Sequence, residues 1–114
     1  MKIYIAGKIT GFEGYKEKFN EAEECLKGRG HICINPSVLP GGFEQNEYLN
    51  ICFAMIEVCD AIYMLDNWKD SPGARKEIDF ARKLDKKIIY QKQEKERTMN
   101  KEINYFGKES EIDE

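Results

Sequence analysis

The sequence predicts a three-layer α/β fold around a four- to five-stranded parallel sheet, with helices on both faces. Three observations predict it. Short β-branched and aromatic runs recur at "KIYIAG", "HICINP", "AIYMLD" and "KKIIYQ". Helical patterns of 12 to 15 residues separate them, and parallel strands need crossovers of that kind. A chain of 114 residues, 41% of them hydrophobic, suffices for one such core and leaves no room for a second. The pattern is that of a flavodoxin- or Rossmann-like, doubly wound fold.

"KIYIAG" (Lys2 to Gly7) is a buried strand ended by glycine, followed by the Gly-rich loop "GKITGFEG". From Tyr15 to Lys27, Tyr15, Phe19, Ala22 and Leu26 recur at helical spacing between Lys and Glu residues, which makes an amphipathic helix. "KGRG" stops it. "HICINP" is the second strand, closed by Pro36, and "SVLPGGFEQN" is a loop. Asn46 to Asp60 is a strongly apolar helix with Asn46 as its expected N-cap and Leu49, Cys52, Phe53, Ile56 and Cys59 as its inner stripe. "AIYMLD" is the third strand. A polar loop leads to a helix from Pro72 to Leu84, and "KKIIYQ" is the fourth strand. These elements make a domain of residues 1–91. Residues 92–114 form a charged extension, with five Lys or Arg and seven Asp or Glu. A last strand or helix is expected to dock through Ile103, Tyr105 and Phe106, before a frayed acidic end.

Composition removes several function classes. Charged residues are 34% and the net charge is −3, with no basic run, so binding to a nucleic acid polymer is not expected. No apolar run reaches membrane-spanning length, so no membrane partner is expected. "MKIYIAGKITG" breaks at Gly7, is too short for a signal peptide and reads as a strand, so the expected compartment is the cytoplasm. Cys25, Cys33, Cys52 and Cys59 form no C-x-x-C pair, and His31 stands alone, so no metal and no cofactor are expected. The thiols read as reduced, small apolar groups.

In an open parallel sheet, ligands bind beyond the carboxyl ends of the strands. Three loops fall there: Gly7 to Gly14, Asn35 to Gly42 and Asp66 to Gly73. The last opens a helix with Ser71 as N-cap and Pro72 at the first helical position, and Gly73 leaves the first-turn N–H groups open to an anion. The stripe of that helix runs Ala74, Ile78, Ala81, Leu84. Glu77 lies beside it and is angled inward, although a solvated Glu in the positive half of a helix fits the same pattern. Tyr4 alternates with Ile3 and Ile5, and its hydroxyl needs a partner if buried.

Three segments, "KIYIAGKITG", "FNEAEECLKGRGHICINPS" and "VCDAIYMLDNWKDSPGARKEIDFA", resemble the small phage and bacterial relatives, of the DUF4406 type, of the nucleoside 2-deoxyribosyltransferases. The resemblance covers about residues 1 to 91. It implies a helix Glu acting as nucleophile on an anomeric carbon, with water or a second base resolving the glycosyl-enzyme. Glu77 matches the nucleophile, and Tyr4 the first-strand tyrosine that orients it. Ser71 matches the phosphate-contacting serine of deoxynucleoside-monophosphate hydrolases. The transferases place a sugar-gripping Asp there, and Asp70 lies one residue out of that register. The loop from Gly7 through Lys8 and Ile9 to Gly11 corresponds to the one framing the sugar and its 5′ group. One departure stands out. The implied general acid is an Asp eight residues before the "Asp-Ala" of the third strand, and here that position is Cys52. Glu47, Asp60, Asp66 and Asp70 are the nearby carboxylates in sequence.

The implied function is an N-glycosidase or deoxyribosyltransferase acting on deoxynucleosides or their 5′-monophosphates. The alternatives are a nucleotide-binding or sequestering protein of the same fold, and an interaction protein working through its acidic tail. A homodimer or higher homo-oligomer is expected, because such folds pair subunits and the helix from Asn46 is apolar nearly all round.

Overall fold

The computed structural model describes residues 1–97. The expectations placed on Ile103, Tyr105 and Phe106 fall outside them. Four strands, β1 (Lys2–Ala6), β2 (Ile32–Ile34), β3 (Ala61–Met64) and β4 (Lys87–Tyr90), form one sheet in the order β2-β1-β3-β4. Every pairing is parallel, with Tyr4 beside both Ile34 and Ile62. Three helices connect the strands: α1 (Tyr15–Gly28), α2 (Gln45–Glu57) and α3 (Pro72–Lys83).

Alternation along the strands builds the two faces. Ile3 and Ile5 of β1, with Ala61, Tyr63 and Leu65, pack against Phe19, Ala22 and Leu26 of α1. Tyr4 and Ala6, with Ile62 and Met64, pack against Cys52 and Ile56 of α2 and Ala74, Ile78 and Ala81 of α3. Both faces of β1 and β3 are covered, so these strands read as unbroken apolar runs. Tyr4 therefore points into the layer that also holds α3.

The element ends differ from the sequence pattern by one turn or less. α2 starts at Gln45 with Glu44 as N-cap, in place of Asn46, because the Glu47 carboxylate folds back to accept the Glu44 N–H at 2.8 Å. It ends at Glu57, and Cys59 is buried beyond it. Its apolar second side is partly covered within the chain, where Phe53 stacks on Phe80 of α3 at 4.3 Å. α3 stops at Lys83 with Leu84 as C-cap. The turn into β4 passes through Asp85 at φ 56°, a left-handed conformation that Asp tolerates. Residues 91–97 are helical. The four cysteines are free; Cys52 and Cys59 are buried, whereas Cys25 is exposed against Arg29.

Candidate functional site

The strand order reverses between β1 and β3. The β1 connection leads outward to β2 and the β3 connection outward to β4, so a crevice opens at their carboxyl ends. Gly7 closes its floor by letting the two strand ends approach. A Cβ on Gly7 would sit 2.6 Å from Leu65 Cδ1, and the Leu65 N–H donates to the Ala6 carbonyl at 2.8 Å. Asn67 ties the two loops together by accepting the Lys8 backbone N–H at 3.1 Å.

α3 begins as its Ser-Pro-Gly sequence dictates. The Ser71 Oγ accepts the Ala74 N–H at 3.1 Å, and Pro72 occupies the first turn. One turn on, Glu77 is buried in the same face as Ala74, Ile78 and Ala81. The Tyr4 hydroxyl donates to Glu77 Oε2 at 2.7 Å across 73 residues of chain. Cys52 of α2 is the third member of this cluster, close enough to both to influence their ionisation.

Burial dominates the electrostatics here. It pushes the Glu77 carboxyl from 4.5 up to about 7, although hydrogen bonds from Tyr4 and Cys52 pull it back. The Cys52 thiol is pushed up to about 12, first by burial and then by the charge of Glu77. Tyr4 is raised well above its ordinary value by burial, then by Glu77 and Cys52. Tyr4 is thus a fixed donor, Cys52 a neutral thiol, and Glu77 the group of the three that titrates near neutrality.

Glu77 faces a cavity of about 590 Å³. That is within the usual size of a small-molecule site. Of the residues singled out from the sequence, Gly7, Ile9, Cys52, Ser71, Gly73 and Glu77 line it, and Tyr4 lies directly behind Glu77, fully buried. Lys8 and Asp70 are not among the lining residues. Lys8 is held by its backbone to Asn67, and Asp70 is exposed on the 3-10 turn Trp68–Asp70. The other nearby carboxylates are occupied elsewhere. Asp60 accepts the Lys2 N–H at the opposite end of the sheet. Asp66 pairs with Lys18 at 2.6 Å and Lys95 at 2.8 Å. Glu47 caps α2.

The cavity also has walls that sequence patterns had not singled out residue by residue. Pro36 and Ser37 come from the 3-10 turn after β2, Gln45, Tyr48 and Leu49 from the start of α2, and Lys76 from α3. The Tyr48 hydroxyl donates to the Pro40 carbonyl at 2.7 Å and holds that loop to the helix. The one advance signal was that the loop from Asn35 to Gly42 follows a strand's carboxyl end.

The domain of unknown function DUF4406 matches residues 1–90. The chain belongs to the DUF4406 family. In this chain the matched region holds the doubly wound sheet and the buried Tyr4–Glu77 pair at the cleft. Among solved structures, this DUF4406 chain is similar to the 2-deoxyribosyltransferase of the psychrotolerant bacterium Bacillus psychrosaccharolyticus. The TM-score is 0.60 and the identity 24%, over 79% of this chain and 71% of that one. The α/β fold is therefore that of a deoxyribosyltransferase. No curated protein matches the chain significantly. Among the described residues, no helix is long and apolar enough to cross a membrane.

Proposed function

We propose that this DUF4406 protein cleaves or transfers N-glycosidic bonds of deoxynucleosides or their 5′-monophosphates, with Glu77 as nucleophile. The observation that carries the reading is the 2.7 Å hydrogen bond from Tyr4 to a Glu77 that faces a small-molecule-sized cavity at the switch point of the sheet. A desolvated carboxylate is a stronger nucleophile than a hydrated one, and Tyr4 holds it in one orientation. Attack on C1′ forms a glycosyl ester on Glu77 and releases the base; water or a second base then takes the sugar. Gly7 and Ile9 frame the sugar, and Ser71 and Gly73 at the start of α3 receive its 5′ group. The ligand is a small nucleoside or nucleotide in the cytoplasm, and the working form is a homodimer or higher homo-oligomer.

Cys52 favours a second reading. A neutral thiol stands where the family resemblance implies an acid, which fits a protein that binds or sequesters a nucleotide without cleaving it. Incubation with a panel of deoxynucleosides and monophosphates, with free base read by chromatography, separates the two. Release by wild type and none by Glu77→Ala supports the enzyme. A nucleotide that raises the Tm while no base appears supports the binder.

A further inference from the structure

Among the described residues, the cavity holds Glu77 and no second carboxylate to act as its acid, and this bears on which leaving groups it can release. Among its described lining residues, Glu77 is the only carboxylate, and no histidine is present. The other protons on the wall belong to the hydroxyls of Thr10, Tyr15, Ser37 and Ser71 or are poorly placed or tightly held. The Tyr4 hydroxyl is fully buried and donates to Glu77 itself. The Tyr48 proton is engaged by the Pro40 carbonyl. The Cys52 thiol is raised by burial and by Glu77. Lys76 is exposed at the rim.

A neutral purine or pyrimidine departs as an anion unless its ring nitrogen is protonated, and general acid help contributes about 10²–10⁴ in rate. A base that is already cationic departs as a neutral molecule and needs no proton. The walls suit such a base. The Tyr15 and Tyr48 rings, with Ile9, Leu39 and Leu49, offer aromatic and apolar surface for a flat cation, and Glu77 supplies the opposite charge.

We propose that the preferred substrates are N-glycosides of a quaternary ring nitrogen, the class of N-glycosyl pyridinium and N7-methylpurine compounds. This rests on the reading of Glu77 as nucleophile. A Glu77 oxygen bonds to C1′ while the C1′–N bond breaks. Its electron pair moves onto the ring nitrogen and cancels the positive charge. Water then bonds to C1′, the ester C–O bond breaks with its pair returning to the carboxylate, and the water releases one proton to solvent. The net change converts a cationic glycoside and water into a neutral base, a free sugar and a proton.

The test uses the full chain and pairs matched on the same sugar: nicotinamide 2′-deoxyriboside against 2′-deoxyuridine, and N7-methyl-2′-deoxyguanosine against 2′-deoxyguanosine. Base release is read by chromatography and expressed relative to the uncatalysed rate of each compound, because cationic glycosides are intrinsically labile. The cationic member of each pair should show an enhancement at least about 10²-fold above its neutral counterpart. Cys52→Asp, which installs an acid, should narrow that ratio at least about tenfold. Equal enhancements, or a preference for the neutral compounds, overturn the inference while leaving Glu77 chemistry intact. No release from any compound, with no sugar adduct on Glu77 by mass spectrometry, overturns both.

Discussion

Replacing Glu77 with glutamine should stabilise the protein above neutral pH and leave it nearly unchanged in mild acid. Glu77 moves from 4.5 to about 7 on folding, chiefly because burial penalises its charged form. The folded chain thus holds a proton that the unfolded chain releases between those values. Its contribution is fully present below pH 4.5 and is lost as pH rises through about 7. At about 1.4 kcal/mol per pH unit, the charged carboxylate costs about 3 kcal/mol of stability at pH 8. Glutamine is nearly isosteric, cannot ionise, and can still accept the Tyr4 hydroxyl through its amide oxygen. Urea unfolding of both proteins at pH 5 and pH 8 reads the difference. The variant should gain about 2–3 kcal/mol over wild type at pH 8 and much less at pH 5. The comparison must be between the two proteins. Asp66, paired with Lys18 and Lys95, and Glu94, paired with Arg29, are held below the usual carboxylate range, so the stability they add is gained below about pH 5 and is common to both proteins. An equal difference at the two pH values would refute the burial argument for Glu77.

Three further perturbations follow from the same geometry. Tyr4→Phe removes a buried donor to Glu77 and should cost about 1–2 kcal/mol in denaturant unfolding. It should also move the acidic limb of any Glu77-dependent activity to higher pH, since the Tyr4 hydrogen bond holds the Glu77 pKa down. Gly7→Ala places a Cβ 2.6 Å from Leu65 Cδ1 and should lower stability by about 1–3 kcal/mol, seen as a drop in Tm. Ser71→Ala deletes the α3 cap to the Ala74 N–H and should cost about 1 kcal/mol; Ser71→Asp should keep the cap yet repel an anionic 5′ group, raising KM for a monophosphate more than for a nucleoside.

Local chemistry explains what could be read without coordinates. The apolar runs of β1 and β3 announce strands covered on both faces, and the 3.6-residue stripes of α1 and α3 announce helices between them. Ser71, Pro72 and Gly73 specify a helix start because capping is settled within four residues. Errors arose where a distant or folded-back side chain shifts a boundary, as Glu47 does by moving the N-cap of α2 two residues back, from Asn46 to Glu44. Lys8 and Asp70 are a different case. Their place in sequence suited a sugar site; neither is among the residues lining the cavity, Lys8 being tied to Asn67 through its backbone N–H and Asp70 exposed on the 3-10 turn.

The sequence by itself determined an α/β chain, a capped helix start at Ser71 and the amphipathic stripes of its helices, and left Glu77 open between an inward and a solvated carboxylate. Each follows from periodicity or capping, which act over one or two turns. Only the tertiary structure decided that Tyr4 reaches Glu77, that Ser37 and Tyr48 close the cavity, and that Asp60 and Asp66 stand apart from it. These relations depend on the order β2-β1-β3-β4, which brings β1 beside β3 and sets Asp60 and the cleft at opposite ends of the sheet. Strand order is fixed by packing between segments dozens of residues apart, and no local pattern carries it.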